Sequence, residues 1–112
     1  MSRFAATPKP PYYVVTFSSL HRGPDNGYGA TAQRMAELAA TMPGYLGMES
    51  TRDAQGFGIT LAFFDSEQSI ANWKRQSEHL AAQERGRKEW YEHYELRVAK
   101  VERAYGFSAK KG

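Results

Sequence analysis

The first readable pattern along the chain is Tyr12-Tyr13-Val14-Val15-Thr16-Phe17-Ser18-Ser19, in which both alternating sets, Tyr12/Val14/Thr16 and Tyr13/Val15/Phe17, are largely apolar. Aromatic and β-branched residues in that alternation predict a strand covered on both faces. The turn formers from His21 to Gly29 predict a loop. With Thr31 read as an N-cap, Met35, Leu38, Ala39 and Met42 then recur at helical spacing, so a first helix follows and stops at Pro43-Gly44. Tyr45 to Arg52 and Phe57 to Phe64 read as two strands joined through Asp53-Ala54-Gln55-Gly56, a hairpin.

A second helix is predicted next. Asp65 or Ser66 caps it, with Gln68 three residues after Asp65 as a capping box requires. It runs through Asn72-Trp73-Lys74-Arg75-Gln76-Ser77-Glu78-His79-Leu80-Ala81-Ala82-Gln83 and weakens near Gly86. Turning 100° per residue, that stretch places Ile70, Trp73, Leu80 and Ala81 on an apolar side and Asn72, Gln76, His79 and Gln83 on a stripe beside it. A short helical piece over residues 87–92, carrying Trp90 and Tyr91, leads to a last strand from Tyr94. There Leu96 and Val98 share one parity and Val101 and Tyr105 the other, which predicts a bulge near Ala99-Lys100 or a change of environment along the strand.

The order β-α-β-β-α-β predicts an α+β, ferredoxin-like βαββαβ fold: an antiparallel four-stranded sheet with both helices on one face. The domain spans residues 12–107, between an extended arm over residues 1–11, with three prolines, and a tail over residues 108–112. The first and third strands are apolar on both sides, and the helices cover only one. A second copy packed sheet face to sheet face, a homodimer forming a dimeric α/β barrel, is the expected cover.

Composition narrows the chemistry. At 112 residues and 41% hydrophobic, the chain has the size of one compact domain. The absence of cysteine excludes disulfides, thiolate metal sites and cysteine nucleophiles, and fits a reducing cytoplasm. No apolar run approaches the roughly 20 residues needed to cross a bilayer, and the start lacks the apolar segment of a signal peptide, so a cytoplasmic protein with no membrane partner is expected. The net charge of +3 comes from 15 basic and 12 acidic residues. These interleave, as in Glu84-Arg85-Gly86-Arg87-Lys88-Glu89, and form no phosphate-tracking stripe, so no nucleic-acid partner is expected. His21 falls in a loop and His93 borders a strand, neither at metal-ligand spacing, so no metal is expected. Gly23, Gly27 and Gly29 lack the strand-to-helix setting of a nucleotide fingerprint. The 13% aromatic content, seven Tyr, six Phe and two Trp, suits both core packing and a pocket for flat organic ligands.

At Pro43-Gly44-Tyr45-Leu46-Gly47-Met48-Glu49-Ser50, the hairpin that follows, Trp73, Ser77-Glu78-His79, Trp90-Tyr91 and Val101-Glu102-Arg103-Ala104-Tyr105, the chain resembles the antibiotic biosynthesis monooxygenase family. The resemblance covers most of residues 12–107. It implies a ferredoxin-like protomer that dimerises through its sheet, with a pocket between sheet and helices. The family holds cofactor-free oxygenases of phenols and quinols, haem-degrading enzymes, and members without an assigned substrate, so it speaks more to fold than to reaction. The haem-degrading branch carries its iron-ligating histidine ten residues after the tryptophan, where this chain has Gln83, and an asparagine in the first strand, which Tyr12 to Ser19 lacks. Haem is therefore disfavoured, and no cofactor is expected.

A monooxygenase without metal or flavin needs a substrate that donates an electron to oxygen itself, as a phenolate or enolate. The protein must supply an apolar pocket, a base, and donors for developing negative charge. His79 suits the base, Asn72, Gln76 and Gln83 the amide donors, and Trp73 a pocket wall. Each has a plainer alternative: core packing for Trp73, a capping or exposed role for His79, and a solvated face for the amides. Function is therefore read as cofactor-independent oxygenation of a small aromatic or polycyclic compound, with a non-catalytic ligand-binding dimeric barrel, or a haem-binding protein, as alternatives.

Overall fold

Tyr12–His21 (β1), Tyr28–Ala39 (α1), Tyr45–Arg52 (β2), Phe57–Phe64 (β3), Glu67–Arg75 (α2), Ser77–Arg85 (α3) and Tyr91–Val101 (β4) follow one another in the computed structural model, which describes residues 3–109. A π-helical turn, Gly86–Trp90, joins α3 to β4. Residues 1–2 of the expected arm and 110–112 of the expected tail lie outside the described residues. The strands form one antiparallel sheet in the order β2-β3-β1-β4, the ferredoxin-like arrangement.

Directly paired residues of antiparallel strands share a face, so the register sorts the sheet into two sides. Val15, Phe17 and Ser19 of β1 pair with Ala62, Thr60 and Gly58 of β3 and with Val98, Leu96 and Tyr94 of β4. Met48, Ser50 and Arg52 of β2 join the same side. This side faces the helices, as the bonds from Arg52 to Ser19 and to Tyr28 of α1 show. Val14, Thr16, Ile59, Leu61 and Phe63 take the outer side. Both sides of β1 and β3 carry apolar residues, as the alternation predicts.

Phe64 is the centre of the core, fully buried and edge-on to Tyr45 with ring centroids 5.7 Å apart. Tyr12, Ala39 and Trp90 are the other buried apolar residues among those described. Trp90 closes the π turn inward: its Nε1 donates to the Asn26 carbonyl at 3.1 Å, while the Arg22 amide donates to the Trp90 carbonyl at 2.9 Å. The loop between β1 and α1 is thereby fastened to the start of β4. On the outer side the Ala5 amide donates to Glu49 Oε2 at 3.0 Å, and Ala5 lies over Gly47, so this part of the arm rests on β2.

Two local expectations change, and two open alternatives resolve to one member each. Helix α1 starts at Tyr28, not after Thr31, because Gly27 adopts φ 89° as N-cap and the Asp25 carboxylate accepts from the Gly27 and Gly29 amides. The cap of α2 is Ser66, whose Oγ accepts from the Ser69 amide at 3.1 Å. Gln68 forms no capping box with Asp65 and donates instead to Asn72. The strand β4 has no bulge at Ala99-Lys100, which pair regularly with Val14 and Tyr13; the register shifts near Leu20/His21, opposite the start of β4. The parity change there is one of environment: Leu96 and Val98 face the helix side, whereas Val101 pairs with Tyr12 on the outer side.

Candidate functional site

The stretch from Asn72 to Gln83 is not one helix. Gln76 leaves the helical region with φ −60° and ψ 128°, ending α2 and starting α3. No proline or glycine makes this break; a side chain does. The Gln76 Oε1 accepts from the His79 amide at 3.0 Å, capping α3, while the Gln76 amide donates to the Trp73 carbonyl at 3.1 Å. The polar stripe expected along a continuous helix is therefore divided at the joint. Leu80, expected on the apolar side, is exposed.

The joint brings Trp73 and His79 together. Their rings stack with centroids 4.1 Å apart and planes at 16°. His79 Nδ1 lies 3.1 Å from the Trp73 carbonyl oxygen, which can only accept, so in the neutral ring Nδ1 carries the proton and Nε2 presents its lone pair. Burial lowers the His79 pKa, opposed in part by the bond to the Trp73 carbonyl. The result is a neutral, oriented imidazole against an indole.

The predicted amides meet different fates. Asn72 Oδ1 accepts from Gln68 Nε2 at 2.9 Å and Arg75 Nη2 at 2.8 Å, and Gln76 Oε1 serves as the cap. In each the oxygen is engaged and the NH2 group remains as a donor. Gln83 sits half-buried one turn beyond His79 on α3. The structure thus gathers Trp73, Gln76 and His79 at one joint and does not carry Asn72, Gln76, His79 and Gln83 on one continuous helical stripe.

A second cluster, which sequence reading did not single out, lies on the helix-facing side at the hairpin end of the sheet. His21 packs edge-on to Tyr28, with centroids 4.2 Å apart, and beside Tyr91 at 5.4 Å. Arg52 reaches across Ser19 toward the Tyr28 ring, its guanidinium 5.6 Å from the ring centroid. Gly58, directly beneath, has no room for a Cβ because the Arg52 guanidinium occupies that space. Burial lowers the His21 pKa, helped by the Arg52 charge and opposed by Asp25. Burial and the neighbouring Tyr28 raise that of Tyr91. His21 Nε2 is the one buried side-chain nitrogen or oxygen without a partner among the described residues. Finding this cluster from sequence would require recognising that Arg52 shares a face with Met48 and Ser50, where a lone cation is out of place.

A cleft of about 320 Å³ runs between α1 and α3 over Met35, Ala81 and Trp90, and a smaller one of about 180 Å³ is lined by Arg87, Tyr91 and Tyr94 among others. Neither is lined by Trp73 or His79. Leu96 and Val98 of the edge strand β4 are on the helix-facing side yet are 51% and 48% exposed, and neither cleft is lined by them. Among the described residues no group of three or more His, Cys, Asp or Glu side chains is placed to hold a metal ion, and no helix is long and apolar enough to cross a membrane.

Both lowered histidines make stability depend on pH. Above about 6.5 the imidazoles are neutral in folded and unfolded chains alike. As pH falls below that value, the unfolded chain takes up protons that folded His21 and His79 accept only at lower pH, so stability is lost across that window. The urea midpoint is expected to be lower at pH 5.5 than at pH 7.5, and a double variant with glutamine at both positions to show a smaller drop; an equal drop would assign the effect to other groups.

Residues 11–85 match the family model described as antibiotic biosynthesis monooxygenase. The protein YqjZ of Bacillus subtilis (strain 168) is 53% identical over 103 residues, covering 92% of this chain and 90% of that one. Among solved structures, SO0527 from Shewanella oneidensis aligns with a TM-score of 0.74 at 11% identity, over 84% of this chain and 94% of that one. SnoaB, a cofactor-independent oxygenase from Streptomyces nogalater, aligns with a TM-score of 0.69 at 13% identity, over 92% and 97%. At these identities the structural likeness establishes a shared fold.

Proposed function

Because this chain belongs to the antibiotic biosynthesis monooxygenase family, we propose that it is a cofactor-independent monooxygenase acting on a small aromatic or polycyclic compound of the phenol or quinol type. The observation that carries the reading is the Trp73–His79 stack, which holds a neutral imidazole with Nε2 as proton acceptor beside an aromatic wall. The description of SnoaB as a cofactor-independent oxygenase supports chemistry without metal or flavin. In this reading His79 removes a proton from the bound phenol or activated methylene, and the resulting anion passes an electron to dioxygen. A carbon–oxygen bond forms. One oxygen atom stays on the ring as a quinone-type carbonyl, and the other leaves as water with two hydrogens taken from the substrate. Trp73 supports the ring system, and the NH2 groups of Asn72, Gln76 and Gln83 are the donors for developing negative charge.

The test is oxygen uptake with a panel of anthrones and hydroquinones, comparing wild type with a His79 variant. Protein-dependent uptake that His79 controls supports the reading; no uptake with any of them leaves a non-catalytic ligand-binding barrel.

The outer sheet face supports a homodimer. Phe57 and Ile59 are 46% and 40% exposed beside Leu61 and Phe63, a concentration of apolar surface that a second sheet would cover. Sedimentation equilibrium at micromolar protein is expected to give twice the chain mass, and Ile59→Asp to shift it toward the monomer. A monomeric wild type would remove this part of the proposal.

A further inference from the structure

Beyond Val101 the chain runs on through residues 102–109 in neither strand nor helix, and every one of these residues is exposed. Tyr105 and Phe107, two positions apart, are 99% and 91% exposed, and a Cβ added at Gly106 between them would meet nothing within 4 Å. A single exposed aromatic is ordinary, but two nearly bare rings on one short segment form an apolar surface that calls for a cover.

The sheet register fixes which surface that segment can meet. Val101 pairs with Tyr12, and Leu20, near the other end of β1, pairs with Phe57. Tyr12 and Leu20 are eight residues apart, about 27 Å along the strand. Because β4 runs antiparallel to β1, the extension leaves the sheet past Tyr12, heading away from Phe57. At the Tyr12 end the outer side is already covered: Tyr12 is buried, edge-on to Phe63 with centroids 6.0 Å apart, and Ala5 lies over Gly47. The bare apolar residues of the outer side, Phe57 and Ile59, stand at the opposite end. Each chain thus carries a projecting aromatic segment at one end and an uncovered apolar patch at the other, and the direction of the extension keeps it from joining its own two.

A second copy joins them. A two-fold axis lying between two outer faces and across their strands sets the sheets in opposite directions, so the Tyr12 end of one lies over the Phe57 end of the other. Face-packed sheets stand about 10 Å apart, and Tyr105, four residues past Val101, reaches about 13 Å. Both contacts then form at once and the assembly closes at two, whereas a different partner would fill one surface and leave the other bare. We infer that residues 102–107 of each protomer cross to a second copy and seat Tyr105 and Phe107 on the apolar patch that Phe57 and Ile59 form there. This rests on reading the outer sheet face as a dimer interface, and it adds the relative direction of the two sheets and the segment that closes each end.

The chain has no cysteine, so introduced cysteines report the contact without background. Ile59→Cys and Tyr105→Cys proteins, mixed, allowed to exchange subunits and treated with a thiol oxidant, are expected to give a disulfide-linked dimer well above the yield of either protein alone. Tyr105→Ser with Phe107→Ser, two changes at bare side chains that should leave the circular dichroism spectrum unchanged, is expected to weaken dimerisation about 10²- to 10³-fold in sedimentation equilibrium, the loss for two partly buried rings. A mixture that cross-links no better than its components, an unchanged dissociation constant, or an intramolecular disulfide in a chain carrying both Ile59→Cys and Tyr105→Cys would overturn the inference. Any of these results with a dimeric wild type leaves sheet-to-sheet pairing standing without the extension; a monomeric wild type removes both.

Discussion

His79→Phe is expected to lower protein-dependent oxygen uptake by about 10²- to 10⁴-fold, the usual contribution of a positioned general base. The phenylalanine keeps an aromatic ring for the stack that His79 makes with Trp73 at 4.1 Å, so a loss of rate reports the imidazole nitrogens and not the packing. His79→Ala removes both and should be no slower if proton transfer is the main role. The acid limb of the pH–rate profile is expected below 6.5, since burial lowers the His79 pKa. With the Trp73 carbonyl fixing the proton on Nδ1, only Nε2 can accept, and losing it leaves no nearby imidazole at the joint. A His79→Phe enzyme with unchanged uptake would transfer the base role to another group.

Gly44→Ala is expected to destabilise the fold by about 3–5 kcal/mol, combining backbone strain with loss of a part-buried polar network. Gly44 has φ 85°, and a Cβ there would meet Ser69 Oγ and Asp65 Oδ1 and come within 2.7 Å of Ser69 Cβ. Those groups form the junction that starts α2. Ser69 Oγ donates to Asp65 Oδ1 at 2.6 Å, Ser66 Oγ donates to Ser69 Oγ at 3.0 Å, and the Asp65 amide donates to the Gly44 carbonyl at 2.8 Å. A methyl group on Gly44 must push Ser69 away and break that set. Against a total stability of about 5–15 kcal/mol, this loss moves the urea midpoint far toward zero denaturant. A shift corresponding to less than about 1 kcal/mol would mean that the junction relaxes at little cost. Because α2 carries Trp73, surviving protein should also bind aromatic ligands less well.

The paired strands, the hairpin at residues 53–56 and the helix-to-strand order were legible because they rest on local alternation and turn chemistry, which neighbouring residues specify by themselves. Trp73 and His79 were legible as candidates, since few residues of their types occur on the second helical region. Their mutual contact was not. It depends on Gln76 using its own side chain to stop one helix and begin the next, a choice between two hydrogen-bonding options that local propensity does not decide. The π turn at Gly86–Trp90 likewise follows from Trp90 being drawn into the core and bonded to Asn26, a residue 64 positions earlier.

The cluster around Arg52 was illegible for a different reason. A one-residue shift in register moves a strand's side chains to the other face, and the sheet contains two such shifts, near Tyr45/Gly47 on β2 and at the start of β4, opposite Leu20/His21 of β1. Only with both in place do Arg52, Tyr28, Tyr91 and His21 meet on one side. By itself the sequence determined the four strands and their two-sided apolar character through short-range periodicity, and the ferredoxin-like sheet through the order of strands and helical regions. The tertiary structure alone decided the broken helix, the oriented His79 and the cation at Arg52, because each depends on contacts between residues whose separation along the chain carries no local signal.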